Sequence, residues 1–289
     1  MSSELESALF LEELMAYGLS SEGMQFFGCK GGVTAARVRY GDSTAVLKCF
    51  EKEELRREIS NYDILQSCGV PTLAVLGKRE SSILLEDIAC SLKFRLATES
   101  DLCDPAVIRA IARWYRALHE KGRAYVESFG AGMYEEWDKF SLDNINAIRL
   151  RFGLGGSRGI DALTEHFDML RGLLDEAPRT LTYNDFYYTN MAVAKDASEA
   201  LMFDYDMLGK GCAVTDIGNV TYWFSEENKR VFLSEYGGID EMLVLLDRIC
   251  APAVSLAMAV ERSEVPSWVN GELAALENVP ELIDRLIGR

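Results

Sequence analysis

The sequence predicts an α+β chain of two lobes, a small β-rich lobe over 1–88 and a larger, mainly helical lobe over 89–289. Three observations carry this. Short β-like runs broken by glycine fill the stretch from about Met24 to Phe50 and return at 72–88. Beyond residue 90, apolar residues recur at helical spacing almost to the end. That texture is interrupted over 180–206 by a loop and two short strand-like runs. A length of 289 residues allows such a pair, and 48% hydrophobic with 26% charged residues is ordinary globular usage.

The elements follow in order. Ser3 and Glu6 have capping-box spacing, and Leu5, Leu9 and Met15 mark the apolar stripe of an opening helix. MQFFGCKGG, VTAARVRY and TAVLKCF read as strands separated by Gly31-Gly32 and Gly41-Asp42, the second a good hairpin turn. Residues 53–65 read as a helix with Leu55, Ile59, Tyr62 and Leu65 inward, ending near Gly69 and Pro71. TLAVLG at 72–77 and SILLEDI at 82–88 complete the small lobe. In the larger lobe, Asp104-Pro105 opens a helix whose Val107, Ile108, Ile111, Trp114, Tyr115 and Leu118 face a core, and Gly122 is expected to stop it. Helices at 133–150 and 160–176 flank a glycine-rich loop, and helical segments return from about 215.

Charge and composition then remove several functions. With 46 Asp plus Glu against 30 Lys plus Arg, the net charge is −16, wrong for a sequence-independent nucleic-acid binder or a peripheral protein of anionic membranes. Seven cysteines without a CxxC pair suit a reducing cytosol better than a disulfide framework. Only His119 and His166 are present, so a His-rich zinc site is unavailable. The acidic N-terminal stretch lacks the features of a signal peptide, and no run approaches 18 uncharged apolar residues. The expectation is a cytoplasmic protein with no membrane-spanning helix.

The chemistry concentrates in LTYNDFYYTN (181–190) and LMFDYD (201–206). Asp185 and Asn190 are five apart across a loop, and Asp204 follows an apolar run fourteen residues later. Phosphoryl transfer from a nucleotide needs such a set: one carboxylate for the attacking hydroxyl, an amide oxygen and a second carboxylate for Mg²⁺. Turn chemistry alone also explains two aspartates and an asparagine in loops. Lys48, however, sits inside the apolar run VLKCF, where an ammonium is costly unless it meets an anion. Glu58 shares a helix face with Leu55, Tyr62 and Leu65, and a lysine–glutamate pair of this kind positions α- and β-phosphates. Glu51 and Glu54 are rival partners, Glu54 the closer by helix phase. Gly28, Gly31 and Gly32 would let backbone amides approach phosphates, although a hairpin turn explains them equally well.

In this order the elements resemble the aminoglycoside phosphotransferase and choline kinase superfamily, small-molecule relatives of the protein kinases. The resemblance runs from the glycine-rich hairpin through VLKCF, the helical glutamate, LLEDI, ALH, YNDFYYTN, MFDYD and TDIGNV. It implies a bilobal protein-kinase-like fold with ATP and Mg²⁺ as cofactors. Lys48 would hold the phosphates, Glu58 would anchor it, and Gly31 and Gly32 would belong to the nucleotide loop. The backbone near Glu86 and Ile88 would meet the adenine. Asp185 would be the catalytic aspartate, Asn190 and Asp204 magnesium ligands, Asp216 a brace of the catalytic loop, and His119 core packing beneath it. Two departures stand out. Tyr183-Asn184-Asp185 replaces His-Gly-Asp, and Asp-Tyr-Asp replaces Asp-Phe-Gly, leaving Asp206 as a surface carboxylate or a further metal or acceptor group.

The acceptor is expected to be a small, amine-bearing, cationic molecule. Its candidate lining is Tyr134, Glu135, Glu136, Trp137 and Asp138, together with Tyr222 through Glu227, where aromatics mix with acids. An ordinary amphipathic helix explains the same spacing. An aminoglycoside-phosphotransferase-like enzyme is the first reading and a choline- or ethanolamine-kinase-like enzyme the second. A nucleotide-binding regulator without transfer is a reading of another class, against which every polar catalytic position is filled.

Overall fold

The structure is a computed structural model that describes residues 8–288. The chain packs as two compact units. The first takes the chain through Gly122, with Asp185–Leu208 and Trp223–Tyr236; the second takes Arg123–Asn184, Gly209–Tyr222 and the chain from Gly237 onward. In chain order the elements begin with α1 (Ala8–Ala16), β1 (Gln25–Lys30), β2 (Val33–Tyr40), β3 (Ser43–Phe50), α2 (Arg57–Ser67), β4 (Val75–Lys78) and β5 (Ser82–Glu86); the first unit runs on past the expected boundary at residue 88 and takes in later segments as well. Next come β6 (Phe94–Leu96), α3 (Pro105–Phe129), α4 (Leu142–Arg151), α5 (Arg158–Glu165), α6 (Phe167–Glu176), β7 (Thr180–Thr182), β8 (Met191–Ala194) and β9 (Ala200–Met202). The chain ends with β10 (Gly209–Gly211), α7 (Ala213–Thr221), α8 (Glu226–Tyr236), α9 (Glu241–Ala259), α10 (Val269–Leu276) and α11 (Val279–Ile287).

The first unit is built on an antiparallel sheet of order β1-β2-β3-β5-β4. Strand alternation gives it two different faces. Ala36, Val38, Ala45, Leu47 and Cys49 point to one side, where they pack with Phe10 and Leu14 of α1. Lys48, between Leu47 and Cys49, is therefore turned to the opposite face, in register with Ala35 and Ile83. A three-stranded sheet, β6-β8-β9, and helix α8 also belong to this unit. His119 is buried there, its Nδ1 2.8 Å from the Tyr236 hydroxyl.

The second unit surrounds a core in which α9 is central. Leu245, Leu246, Ile249, Ala253 and Leu256 of α9 pack with Ile145, Ile160, Leu163, Leu170, Val279 and Ile283. By length and composition α9 is a candidate to cross a membrane, against the expectation above; its buried apolar side chains identify it as this unit's core helix.

Several boundaries differ from those expected. Ser3, Leu5 and Glu6 lie outside the described residues; α1 buries Phe10 and Leu14, while Met15 is exposed. Helix α3 continues through Gly122 to Phe129, because one interior glycine costs only about 1 kcal/mol, too little to end a long helix. The 133–150 helix is replaced by an extended Glu135, a single 3₁₀ turn and α4, which starts where the Ser141 side chain caps the Asn144 amide. His166 divides the 160–176 helix into α5 and α6. The three-residue strands β6 and β10 are too short to leave a periodic signal.

Candidate active site

Lys48 is the centre of the first unit's site. Its ammonium lies 2.5 Å from Glu58 Oε2 and 2.6 Å from Asp204 Oδ1. Glu51 and Glu54 are not its partners. Residues 53–55 form a separate 3₁₀ turn, so the phase that favoured Glu54 does not carry into α2. Burial works to lower the Lys48 pKa, but Glu58 and then Asp204 outweigh it and hold the ammonium above its ordinary value. Burial raises the Glu58 carboxyl to about 7 against the pull of Lys48; its Oε1 is buried without a hydrogen-bond partner.

Helix α2 grips the segment after β9 through consecutive turns. The Arg57 guanidinium donates to both carboxylate oxygens of Asp206, at 3.1 and 3.4 Å. Asn61 Nδ2 donates to the Tyr205 carbonyl at 2.8 Å, and the Tyr62 and Tyr205 rings meet edge to face at 4.8 Å. Asp206 is thus an ion-paired residue that ties this segment to the helix carrying Glu58. Asp204 itself has φ +64°, a left-handed conformation that aspartate tolerates better than most residues.

Asp185, Asp204, Asp206, Glu58 and Lys48 line one cavity of about 470 Å³, together with Gly28, Lys30 and Gly31. Asn190 Nδ2 donates to Asp185 Oδ2 at 3.3 Å. Partial desolvation and the neighbouring Asp204 and Asp206 raise the Asp185 carboxyl to about 6, against the pull of Lys48 and Lys30. Gly31 and Gly32 form the β1–β2 turn with φ of +64° and +97°, and a Cβ on Gly32 would press on the Lys52 side chain at 3.2 Å.

A second cavity of about 330 Å³ shares Lys48, Glu58 and Asp204 with the first and is walled by Val46, Leu73, Leu85, Ile88 and Phe203. Glu86 and Ile88 both border it, and the Glu86 carboxylate accepts from the Ala74 amide at 2.8 Å. Buried Asp87 between them takes Arg37 Nε and Thr44 Oγ1, each at 2.5 Å, and these bonds keep its carboxyl below the usual value despite burial.

In the second unit, buried Asp216 accepts the amides of Tyr183 at 2.7 Å and Asn184 at 2.8 Å, fixing the backbone that leads directly to Asp185. Asn184 has φ +64°, and its Nδ2 donates to Thr182 Oγ1 at 3.0 Å. Asparagine thereby supplies the left-handed conformation that a glycine would supply at no steric cost. Buried Tyr183 fills space in the core.

The acceptor candidates separate. Glu135 is ion-paired to Arg179 at 2.6 Å and lies 3.6 Å from Lys210, and Trp137 is a core residue. Glu136 borders a small cavity with Asp247 and Asn219; burial, with Asp247 and Asp216, raises its carboxyl to about 8. Tyr222 is exposed. In the first unit Phe224 is buried, Glu226 pairs with Lys229, and Trp223 meets Tyr187 edge to face at 4.9 Å. The roles of Arg37, Arg57 and Asn61 left no signal in the sequence, since their partners lie 50 to 149 positions away.

The comparisons with known proteins agree on one fold. The choline kinase LicA from Streptococcus pneumoniae superposes with a TM-score of 0.65 at 11% identity, over 96% of this chain and 98% of that one. A spectinomycin phosphotransferase solved with ADP and spectinomycin gives 0.63 at 13%, over 98% and 99%. A choline/ethanolamine kinase family protein from Mesorhizobium loti gives 0.65 at 15%, over 92% of each chain. At such identities the likeness speaks for the protein-kinase-like fold and not for a substrate. No curated protein matches the sequence. The model of the phosphotransferase enzyme family matches residues 29–242, taking in Lys48, Glu58, Asp185, Asn190 and Asp204, and the chain therefore belongs to that family.

Proposed function

We propose that this phosphotransferase moves the γ-phosphoryl group of ATP to a hydroxyl of a small, amine-bearing molecule. The observation that carries the reading is the convergence of Lys48, Glu58, Asp204 and Asp185 on one cavity. The acceptor oxygen forms a bond to the γ-phosphorus while the bond to the β-phosphate oxygen breaks and ADP leaves with that electron pair. Asp185 receives the acceptor's proton as the new bond forms. Lys48, anchored by Glu58, holds the α- and β-phosphates, and the backbone at Glu86 and Ile88 meets the adenine beside the apolar walls.

The donor set also fits magnesium. Four carboxylates line the cavity against two lysines, which leaves it short of positive charge. Asn190 donates through Nδ2 to Asp185, so its amide oxygen is left to serve as a ligand beside Asp204. One carboxylate, one amide and the phosphates are a usual Mg²⁺ set, and the ion would offset phosphate charge. Seven free thiols support a cytoplasmic setting.

Within the amine-bearing class, an aminoglycoside and a compact ammonium of the choline or ethanolamine kind are the two acceptors to separate. Tyr187, two residues past Asp185, and Trp223 form a half-exposed aromatic pair suited to cation–π contact. A coupled ADP-release assay across choline, ethanolamine, amino alcohols, aminoglycosides and neutral sugars tests this. Selective turnover of one amine class that Asp185→Asn lowers by about 10²–10⁴-fold is expected. Mg·ATP-dependent thermal stabilisation with no phosphorylated product from any acceptor would sink the reading in favour of a silent nucleotide-binding regulator.

A further inference from the structure

Two lysines line the active-site cavity, and one of them, like the nearby Arg57, is committed. Lys48 is held by Glu58 and Asp204, and Arg57 is taken by Asp206. Lys30 is different. It lines the same cavity and its charge is felt at the Asp185 carboxyl, yet among the described residues its side chain has no ion-pair or hydrogen-bond partner. Its backbone is well placed for a fixed task. Lys30 closes the β1–β2 hairpin opposite Val33, immediately before the Gly31-Gly32 turn. The bulge between Phe26 and Gly28 resets the alternation of β1, so that Gly28 and Lys30, two apart, both face the cavity.

A triphosphate brings four negative charges into a cavity where Lys48 is already shared, and one divalent cation offsets only two of them. We infer that Lys30 is a substrate-contacting residue whose ammonium engages the γ-phosphoryl group of the bound nucleotide and stabilises the charge on its oxygens during transfer. Lys48 holds the inner phosphates, so the two lysines divide the chain of phosphates between them. The inference rests on the ATP-dependent reading above.

The test compares binding of ADP and of the non-hydrolysable β,γ-imido analogue of ATP, each with Mg²⁺, by titration calorimetry. Lys30→Met keeps the length of the side chain and removes its charge. Affinity for the triphosphate analogue is expected to fall about tenfold, as for one partly exposed charge-assisted hydrogen bond, while ADP affinity changes less than twofold. Lys30→Arg is expected to keep most of the triphosphate preference. Equal weakening of both nucleotides would make Lys30 a part of the loop's shape and overturn the inference. No change in either would make it a solvated hairpin lysine, with the same consequence. If the unaltered protein bound neither nucleotide, the phosphotransferase reading would fall first and the role of Lys30 with it.

Discussion

Glu58→Gln separates what the Lys48 pair does for folding from what it does for chemistry. Glu58 is 1% exposed, and burial raises its carboxyl from 4.5 to about 7 even with Lys48 beside it. Because the folded pKa lies above the unfolded one, the stability linked to this group is fully present below about 4.5 and is lost as pH rises through about 7. At about 1.4 kcal/mol per pH unit, that interval corresponds to roughly 3 kcal/mol. Glutamine cannot ionise, so it escapes the loss. Any fixed cost of burying the amide shifts the mutant equally at every pH and drops out of the comparison. Urea unfolding between pH 5 and 8.5 should therefore show Glu58→Gln gaining on the unaltered protein by roughly 3 kcal/mol across the range. Nucleotide affinity should fall, since a neutral partner holds Lys48 less firmly. A stability difference that stays flat, or that turns against the mutant as pH rises, would refute the reasoning, because the Glu58 charge would then be a stabilising one.

Asp185 must be ionised to accept a proton, and its carboxyl is raised to about 6, so kcat/KM should fall about tenfold per unit below pH 6 and level off above it; a profile unchanged down to pH 4.5 would contradict the assignment. Asn184→Ala keeps a Cβ at φ +64° but loses the amide that makes this conformation tolerable and its bond to Thr182, and should cost about 1–2 kcal/mol in denaturant unfolding, with Asn184→Gly costing less. In the second unit burial, with Glu272 adding to it, raises Asp247 to about 7. Stability from Asp247 is thus present in acid and lost as pH rises through about 7, so calorimetry of Asp247→Asn between pH 5 and 9 should show a flatter decline in Tm.

Local chemistry made half of the site legible. A lysine in the middle of VLKCF is conspicuous because an apolar strand offers it nothing, and the loop and strand that hold Asp185, Asn190 and Asp204 break a helical texture. The partner of Lys48 is ambiguous in the sequence because the apolar spacing of α2 continues back across residues 53–55, which turn as 3₁₀. The Arg57–Asp206 pair and the Asn61–Tyr205 bond were invisible for a different reason. They join segments 144 and 149 positions apart, and no periodicity encodes such a meeting. Tyr183-Asn184 looked like a departure from His-Gly by residue type. By backbone it is not one at the second position, since what that position requires is a positive φ, and asparagine provides it.

Exposure decides which of the two Lys48 partners yields when a nucleotide enters. The Glu58 side chain is 1% exposed and its carboxylate has nowhere to go, whereas the Asp204 side chain is 41% exposed. A phosphate approaching Lys48 therefore competes with Asp204, and without a divalent cation the two anions repel each other at one ammonium. Asp204→Asn removes that competition while keeping a residue type that tolerates φ +64°. In EDTA, ATP should bind this variant about fivefold more tightly than the unaltered protein, the size of one screened charge pair. With Mg²⁺ the order should reverse, because in the proposed role the carboxylate is a ligand instead of a rival. Isothermal titration under the two conditions reads both signs, and weaker binding of the variant in EDTA would show that Asp204 does not hold Lys48 against the nucleotide.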